Sequence, residues 1–222
     1  MKLKFDGYTS RWDFILKRCN NKSVLHLGCV GITEGSISEK IRAMEIGLVI
    51  HPHIKKRAKR LIGIDYDFKI VKHLQKLGFS EIIYGDVTKL DQVELNDTFD
   101  VVIAGDLIEH LSSPGSMLEG VKRFMNRHSS LLITTPNAFG GLHMLRYVLG
   151  IYKEGNDHVL SFSIFTLSNL LQRHGYIVVE AWACYNRPPS TITEKIKYAI
   201  GVPFFKAIPK LGGTLCVVAH LK

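Results

Sequence analysis

The segment VLHLGCVGITEG, from Val24 to Gly35, constrains the fold more than any other stretch of this chain. Apolar residues run straight into Gly28, and Gly31 follows three positions later. A buried parallel strand reads this way when it ends in a tight backbone turn before a helix. Glycine has no Cβ, so such a turn lets main-chain N–H groups approach a ligand closely. The pattern recurs downstream, where LIGIDYD ends at Asp67, IIYGDV at Val87 and FDVVIAGDLIEHL at Leu111. Each is an apolar strand that closes on a small or acidic residue. A row of strands with polar carboxyl ends is how an open α/β sheet builds a nucleotide-like pocket.

Strands and helices alternate along the chain, which predicts a doubly wound, mostly parallel α/β sheet with crossover helices, in one domain over 1–222. Within 1–20 a helix is expected from about Ser10, its cap, to Cys19. Seven strands are expected, over 23–27, 60–64, 81–84, 100–104, 130–134, 177–183 and 214–221. Residues 32–59 read as an extended helical insertion near the pocket. Ile70, Val71, Leu74 and Leu77 share one helical face that stops at Gly78. Pro114 opens a helix carrying Met117, Leu118, Val121, Phe124 and Met125, and a helix through Leu167, Leu170 and Leu171 stops at Gly175. Residues 186–212 form a basic connection with a helix near 194–200. No repeat, low-complexity tract or linker divides the chain.

Composition excludes several classes. The 222 residues suffice for a sizeable core. No apolar run approaches the ~18–20 residues that span a bilayer. The start, MKLKFDGYTSRWD, lacks the apolar stretch of a secretory signal. Cys19, Cys29, Cys184 and Cys216 are scattered without CxxC spacing, so reduced thiols in a cytoplasmic compartment are expected, with neither a disulfide framework nor a zinc site. The net charge of +9 is concentrated in Lys55, Lys56, Arg57, Lys59 and Arg60, and in 187–222, where six Lys/Arg face the single acid Glu194. Two readings stand: a solvated basic surface, or attraction of a nucleic acid, a phosphorylated substrate or a membrane surface.

The order of elements, together with GDLIEHLSSPGSMLEGVKRFM, the TPN after strand five and DHVLSFSIFTLSNLLQRHGY, resembles the class I S-adenosylmethionine-dependent methyltransferases. The resemblance covers almost the whole chain and is closest to the UbiE/UbiG-like branch. It implies a Rossmann-like sheet with strand seven antiparallel, and S-adenosyl-L-methionine as cofactor. By that resemblance Asp65 takes the ribose hydroxyls, with Tyr66 beside it. Asp86 reads the adenine amino group and Val87 packs the ring. Gly28, Cys29 and Gly31 admit the homocysteine portion, while Gly105, Asp106 and Leu107 face the sulfur region. An alternative for Asp65 is the N-cap of the next helix.

Three departures from the family pattern stand out. His26 replaces an acid on strand one, and either contacts the cofactor or is a buried core histidine. The usual GxGxG reads Gly28-Cys29-Val30-Gly31-Ile32. Asp65 also follows Gly28 at well over the ~20 residues usual for such an acid.

Methyl transfer needs an acceptor held in line and often a base. His110 and His158 are the candidate catalytic histidines, each alternatively structural. Asp106, Glu109, His110 and His158 together resemble the metal site of small-RNA 3′-terminal 2′-O-methyltransferases, which implies a divalent Mg or Mn ion. Bracing of the turn by Glu109 and His110 is the alternative. The leading expectation is methylation of a hydroxyl on a small molecule, such as a sugar or glycan intermediate or a secondary metabolite. RNA 2′-O-methylation, nicotinamide-linked oxidoreduction and non-catalytic cofactor binding are the competitors. The first is supported by charge, and the second is opposed by Val30 at the place of a fingerprint glycine.

Overall fold

In the computed structural model, eight strands join one sheet in the order β1-β7-β8-β6-β5-β2-β3-β4. Residues 4–31, 35–151, 155–185 and 191–222 are described. The strands are β1 (Gly7–Ser10), β2 (Ser23–Leu27), β3 (Arg60–Asp65), β4 (Ile82–Tyr84), β5 (Val101–Gly105), β6 (Ser130–Pro136), β7 (Tyr176–Tyr185) and β8 (Thr214–Leu221). Only β8 runs antiparallel to its neighbours, β6 and β7. The seven expected strands are therefore present, with the last antiparallel. The eighth is β1, which adds itself parallel to the β7 edge. Its four residues, GYTS, carry no apolar run, so only the pairing with β7 makes them a strand.

Helices α1 (Arg11–Arg18), α2 (Ile37–Glu45), α3 (His51–Lys55), α4 (Phe68–Lys76), α5 (Pro114–Val121), α6 (Gly141–Val148), α7 (Ile164–Arg173) and α8 (Ile192–Ala207) complete the chain. Ser10 caps α1 by accepting from the Asp13 N–H. Pro114 opens α5, where its missing N–H costs nothing. Helix α6 went unforeseen in the sequence, and α8 is longer than expected at both ends. Residues 32–34 of the expected insertion and 186–190 of the basic connection lie outside the described residues.

Alternation along the strands sorts the core onto two faces. Leu25 and Leu27 of β2 and Val102 and Ala104 of β5 pack with Met117, Leu118 and Val121 of α5 and Leu167 and Leu171 of α7. Val24, Val101 and Ile103 face the other way, onto Phe14, Ile15 and Leu16 of α1 and Ile54 of α3. The carboxyl ends of β2, β3, β4, β5 and β6 are left along one edge of the sheet. The central strands are paired on both sides, so the groups open to a ligand lie where the strands end.

Candidate active site

A cleft of about 1140 Å³ lies across those carboxyl ends. Within it β2 stops at Gly28, whose φ of +63° is the left-handed conformation glycine adopts at no steric cost. The Gly28 and Cys29 N–H groups donate to the Ile64 carbonyl, which folds the turn back on β3. Gly31, at φ +67°, has open space where a Cβ would project. An added side chain there would enter the cleft.

Asp65 sits at the end of β3, 6 % exposed. One oxygen accepts from the Val30 N–H at 3.0 Å and the other from the Asp67 N–H at 3.3 Å. A carboxylate has about four lone-pair sites, so two remain for a ligand. Burial raises its pKa, against the two backbone donors and the nearby Lys40 charge. The helix-cap role belongs to a different acid: Asp67 accepts from the Ile70 N–H at the start of α4. Asp86 and the buried Val87 also line the cleft, with Asp86 accepting from the Thr88 N–H and hydroxyl. Tyr66 and Leu107 line it too.

Three of the expected cofactor contacts lie off the cleft surface. His26 is 3 % exposed on the α1 and α3 face of the sheet, its Nδ1 3.0 Å from Nδ1 of His51. The far ring nitrogen of His51 approaches Glu81 at 3.6 Å. Burial, then His51 and Arg11, push the His26 pKa far down, so this ring is neutral. Cys29 is buried against Gly63, and Gly105 belongs to the strand backbone. Helix α3 correspondingly packs behind the sheet with His51. Among the described residues of the expected helical insertion, Lys40 on α2 lines the cleft.

On the neighbouring strand the chain leaves β5 through Asp106, a non-glycine residue at φ +47°. Such a backbone costs on the order of 1 kcal/mol and needs support. Support comes from the Asp106 N–H, which donates to the Thr134 carbonyl, and from its carboxylate, which accepts from the Thr134 hydroxyl and from Arg11. Asp106 still lines the cleft, but it is not part of the cluster formed by the acid and histidines expected to join it.

Those three do come together. A short 3-10 turn, Ile108–His110, carries Glu109 inward at 1 % exposure. The Glu109 carbonyl accepts from the Val159 and Leu160 N–H groups, which ties 158–160 onto this turn. His158 is thereby brought against His110, ring centroids 4.8 Å apart and edge to face. Asp157 lies 3.3 Å from Nδ1 of His110. One Glu109 oxygen accepts from the Thr135 hydroxyl at 2.9 Å, and the other is buried without a hydrogen-bond partner. Burial lifts the Glu109 pKa to about 7, with the Thr135 hydrogen bond and the Arg11 charge opposing it. Glu109, His110 and His158 each offer a ligand atom, all within 4.8 Å of one another. An orphaned carboxylate oxygen beside two imidazoles fits a divalent cation.

Sequence reasoning passed over Arg11 and Thr134, whose roles arise only from tertiary proximity. It also passed over Asn137, although the TPN motif held the signal. Asn137 donates from its side chain to the Lys210 and Gly212 carbonyls and so fixes the cleft wall where β8 begins.

The chain can now be set beside known proteins. It resembles the magnesium protoporphyrin IX methyltransferase of Synechocystis, solved with bound SAH, at 13 % identity and a TM-score of 0.55, covering 95 % of this chain and 79 % of that one. A SAM-dependent methyltransferase from Aquifex aeolicus aligns at 16 % identity and a TM-score of 0.56, over 96 % and 90 % of the two chains. One from Archaeoglobus fulgidus aligns at 17 % and 0.54, over 95 % and 90 %. No curated protein matches the chain. The methyltransferase domain family matches residues 18–181. The chain therefore belongs to the methyltransferase domain family, and is a class I S-adenosylmethionine-dependent methyltransferase.

Proposed function

We propose that S-adenosylmethionine lies along the ends of β2, β3 and β4, and that a hydroxyl of a small-molecule acceptor is methylated beside Glu109, His110 and His158. Asp65 takes the ribose hydroxyls with its two remaining lone-pair sites. Asp86 and Val87 hold the adenine, with Tyr66 alongside. The open space at Gly31 admits the amino-acid portion, and Leu107 packs near the sulfur. The observation that carries this reading is that Asp65 and the histidine pair line one cleft.

The bound cofactor supplies an electrophilic methyl group on a sulfonium. The chain's own residues do the rest. His158 or His110 removes the acceptor proton, and the tie between Glu109 and 158–160 holds both rings in place. Lys40, His143 and Arg146 line the same cleft together with six acidic residues, a polar lining suited to a hydroxyl-rich acceptor such as a sugar, a glycan intermediate or a secondary metabolite. The sequence resemblance to the UbiE/UbiG-like branch supports small-molecule over macromolecular acceptors. Calorimetry with S-adenosylhomocysteine and with NAD tests the cofactor assignment. Binding of NAD with no response to S-adenosylhomocysteine would refute it.

A second reading, 2′-O-methylation of RNA with a divalent ion, is favoured by the orphaned Glu109 oxygen and the +9 charge. Glu109, His110 and His158 would hold Mg²⁺ or Mn²⁺, which polarises a vicinal diol. Full turnover after exhaustive chelation would exclude it.

A further inference from the structure

Helix α6 is built inside out. His143 and Arg146, one turn apart, line the cleft. Leu142, Met144, Leu145, Tyr147 and Val148 are exposed, between 45 % and 81 %, and none of the helix's residues is buried. The apolar surface continues at both ends, through Phe139 before the helix and Leu149 and Ile151 after it. A helix in a water-soluble protein normally turns its apolar stripe to the core and its charges outward. Here the polar residues serve the cleft and the apolar ones face out.

The N-terminus of α6 is anchored to the end of the basic connection. Gly141 lies against Leu211, and the Asn137 side chain donates to the Lys210 and Gly212 carbonyls. Helix α8, which leads into that turn, stacks Phe205 on Tyr8 and leaves Ile192, Ile196 and Phe204 exposed. No acidic residue occurs from Phe139 to Ile151, and 191–211 holds four lysines against one glutamate. Neither helix is long and apolar enough to cross a membrane. A protruding apolar ridge without acids, flanked by a net basic segment, suits a soft anionic surface better than a shaped protein groove.

We propose that α6, with the rim contributed by α8, docks in the plane of an anionic lipid bilayer and brings the mouth of the cleft to its headgroups. The exposed leucines and Val148 enter the acyl boundary, and the lysines of 191–211 meet lipid phosphates. Arg146 and His143 stay on the cleft side.

Flotation of the full chain with vesicles tests this, in the absence of cofactor, so the outcome is independent of the methyl-transfer reading. The chain should float with phosphatidylcholine vesicles containing phosphatidylglycerol, and about tenfold or more weakly with phosphatidylcholine alone. Added salt should weaken the binding. Leu145→Asp combined with Val148→Asp should cut it by about tenfold or more, with circular dichroism and S-adenosylhomocysteine affinity unchanged. Absence of binding, equal binding to both vesicle types, or full retention by the double variant overturns the proposal. So does a dimer that the double variant dissolves without any vesicle binding, which would assign the face to a second copy of the chain.

Discussion

Replacing Asp65 separates a cofactor contact from a turn brace. Its carboxylate holds the Val30 and Asp67 N–H groups, so Asp65→Ala releases two backbone donors as well as the ribose. A hydrogen bond to a charged group is worth about 1.5–3 kcal/mol. Two ribose hydroxyls would then contribute about 3–6 kcal/mol, of which water entering the open cleft returns a part. A net loss of about 2–4 kcal/mol corresponds to a roughly 30- to 1000-fold weaker Kd. Asp65→Asn controls for the turn, because its remaining oxygen still accepts one N–H. Calorimetric titration of both variants with S-adenosylhomocysteine, alongside their melting temperatures, makes the comparison. A folded Asp65→Ala protein with unchanged affinity would refute the ribose assignment.

Other outcomes follow from buried charge and close packing. His26 stays neutral in the fold while an unfolded histidine takes up a proton near pH 6.5, so its contribution is intact above that pH and lost below it. Unfolding in urea should show stability falling by up to about 1.4 kcal/mol per pH unit below about 6.5, and His26→Leu should flatten that slope. Arg11→Met would leave the Asp106 carboxylate with Thr134 alone, at a cost of about 1–3 kcal/mol, less than for a fully buried pair because Asp106 is partly exposed. Thermal melting gives the number, and an unchanged melt would mean the pair contributes nothing. At Gly63 a Cβ would meet Cys29 Sγ and His51 Cε1 at 2.7 Å each, so Gly63→Ala should lose about 1–3 kcal/mol, read as a lowered urea midpoint.

Much of the fold was legible because its signals are local. The strands at 23–27 and 214–221 have the bounds expected from their apolar runs, and Ser10 and Pro114 open the helices they were expected to open. The site was legible less evenly. Asp65 and Asp86 follow directly from where strands end. Asp106 was expected beside Glu109, His110 and His158, but it is not part of their cluster. The backbone passes through φ +47° at Asp106 before a 3-10 turn begins, and this turns the carboxylate toward Arg11. For His26 the sequence left a cofactor contact and a buried core histidine both open, and the residue is buried. Its neighbour on the same face, His51, comes from a helix whose docking no periodicity reveals. Helix α6 escaped notice because its apolar residues are not a core stripe.

The added edge strand carries a consequence for how the site comes into being. Residues 7–10 pair with 182–185, and the strand leads directly into Arg11, the cation beneath Asp106. Closing that contact joins segments separated by most of the chain, the kind of pairing that forms slowly because loop-closure entropy is lost before any contact compensates it. During synthesis the glycine turn and Asp65 are available long before β7 leaves the ribosome, while the support under Asp106 waits for it. The edge pairing that leads into Arg11 would therefore close late, and the reaction centre would be finished only once nearly the whole chain is made.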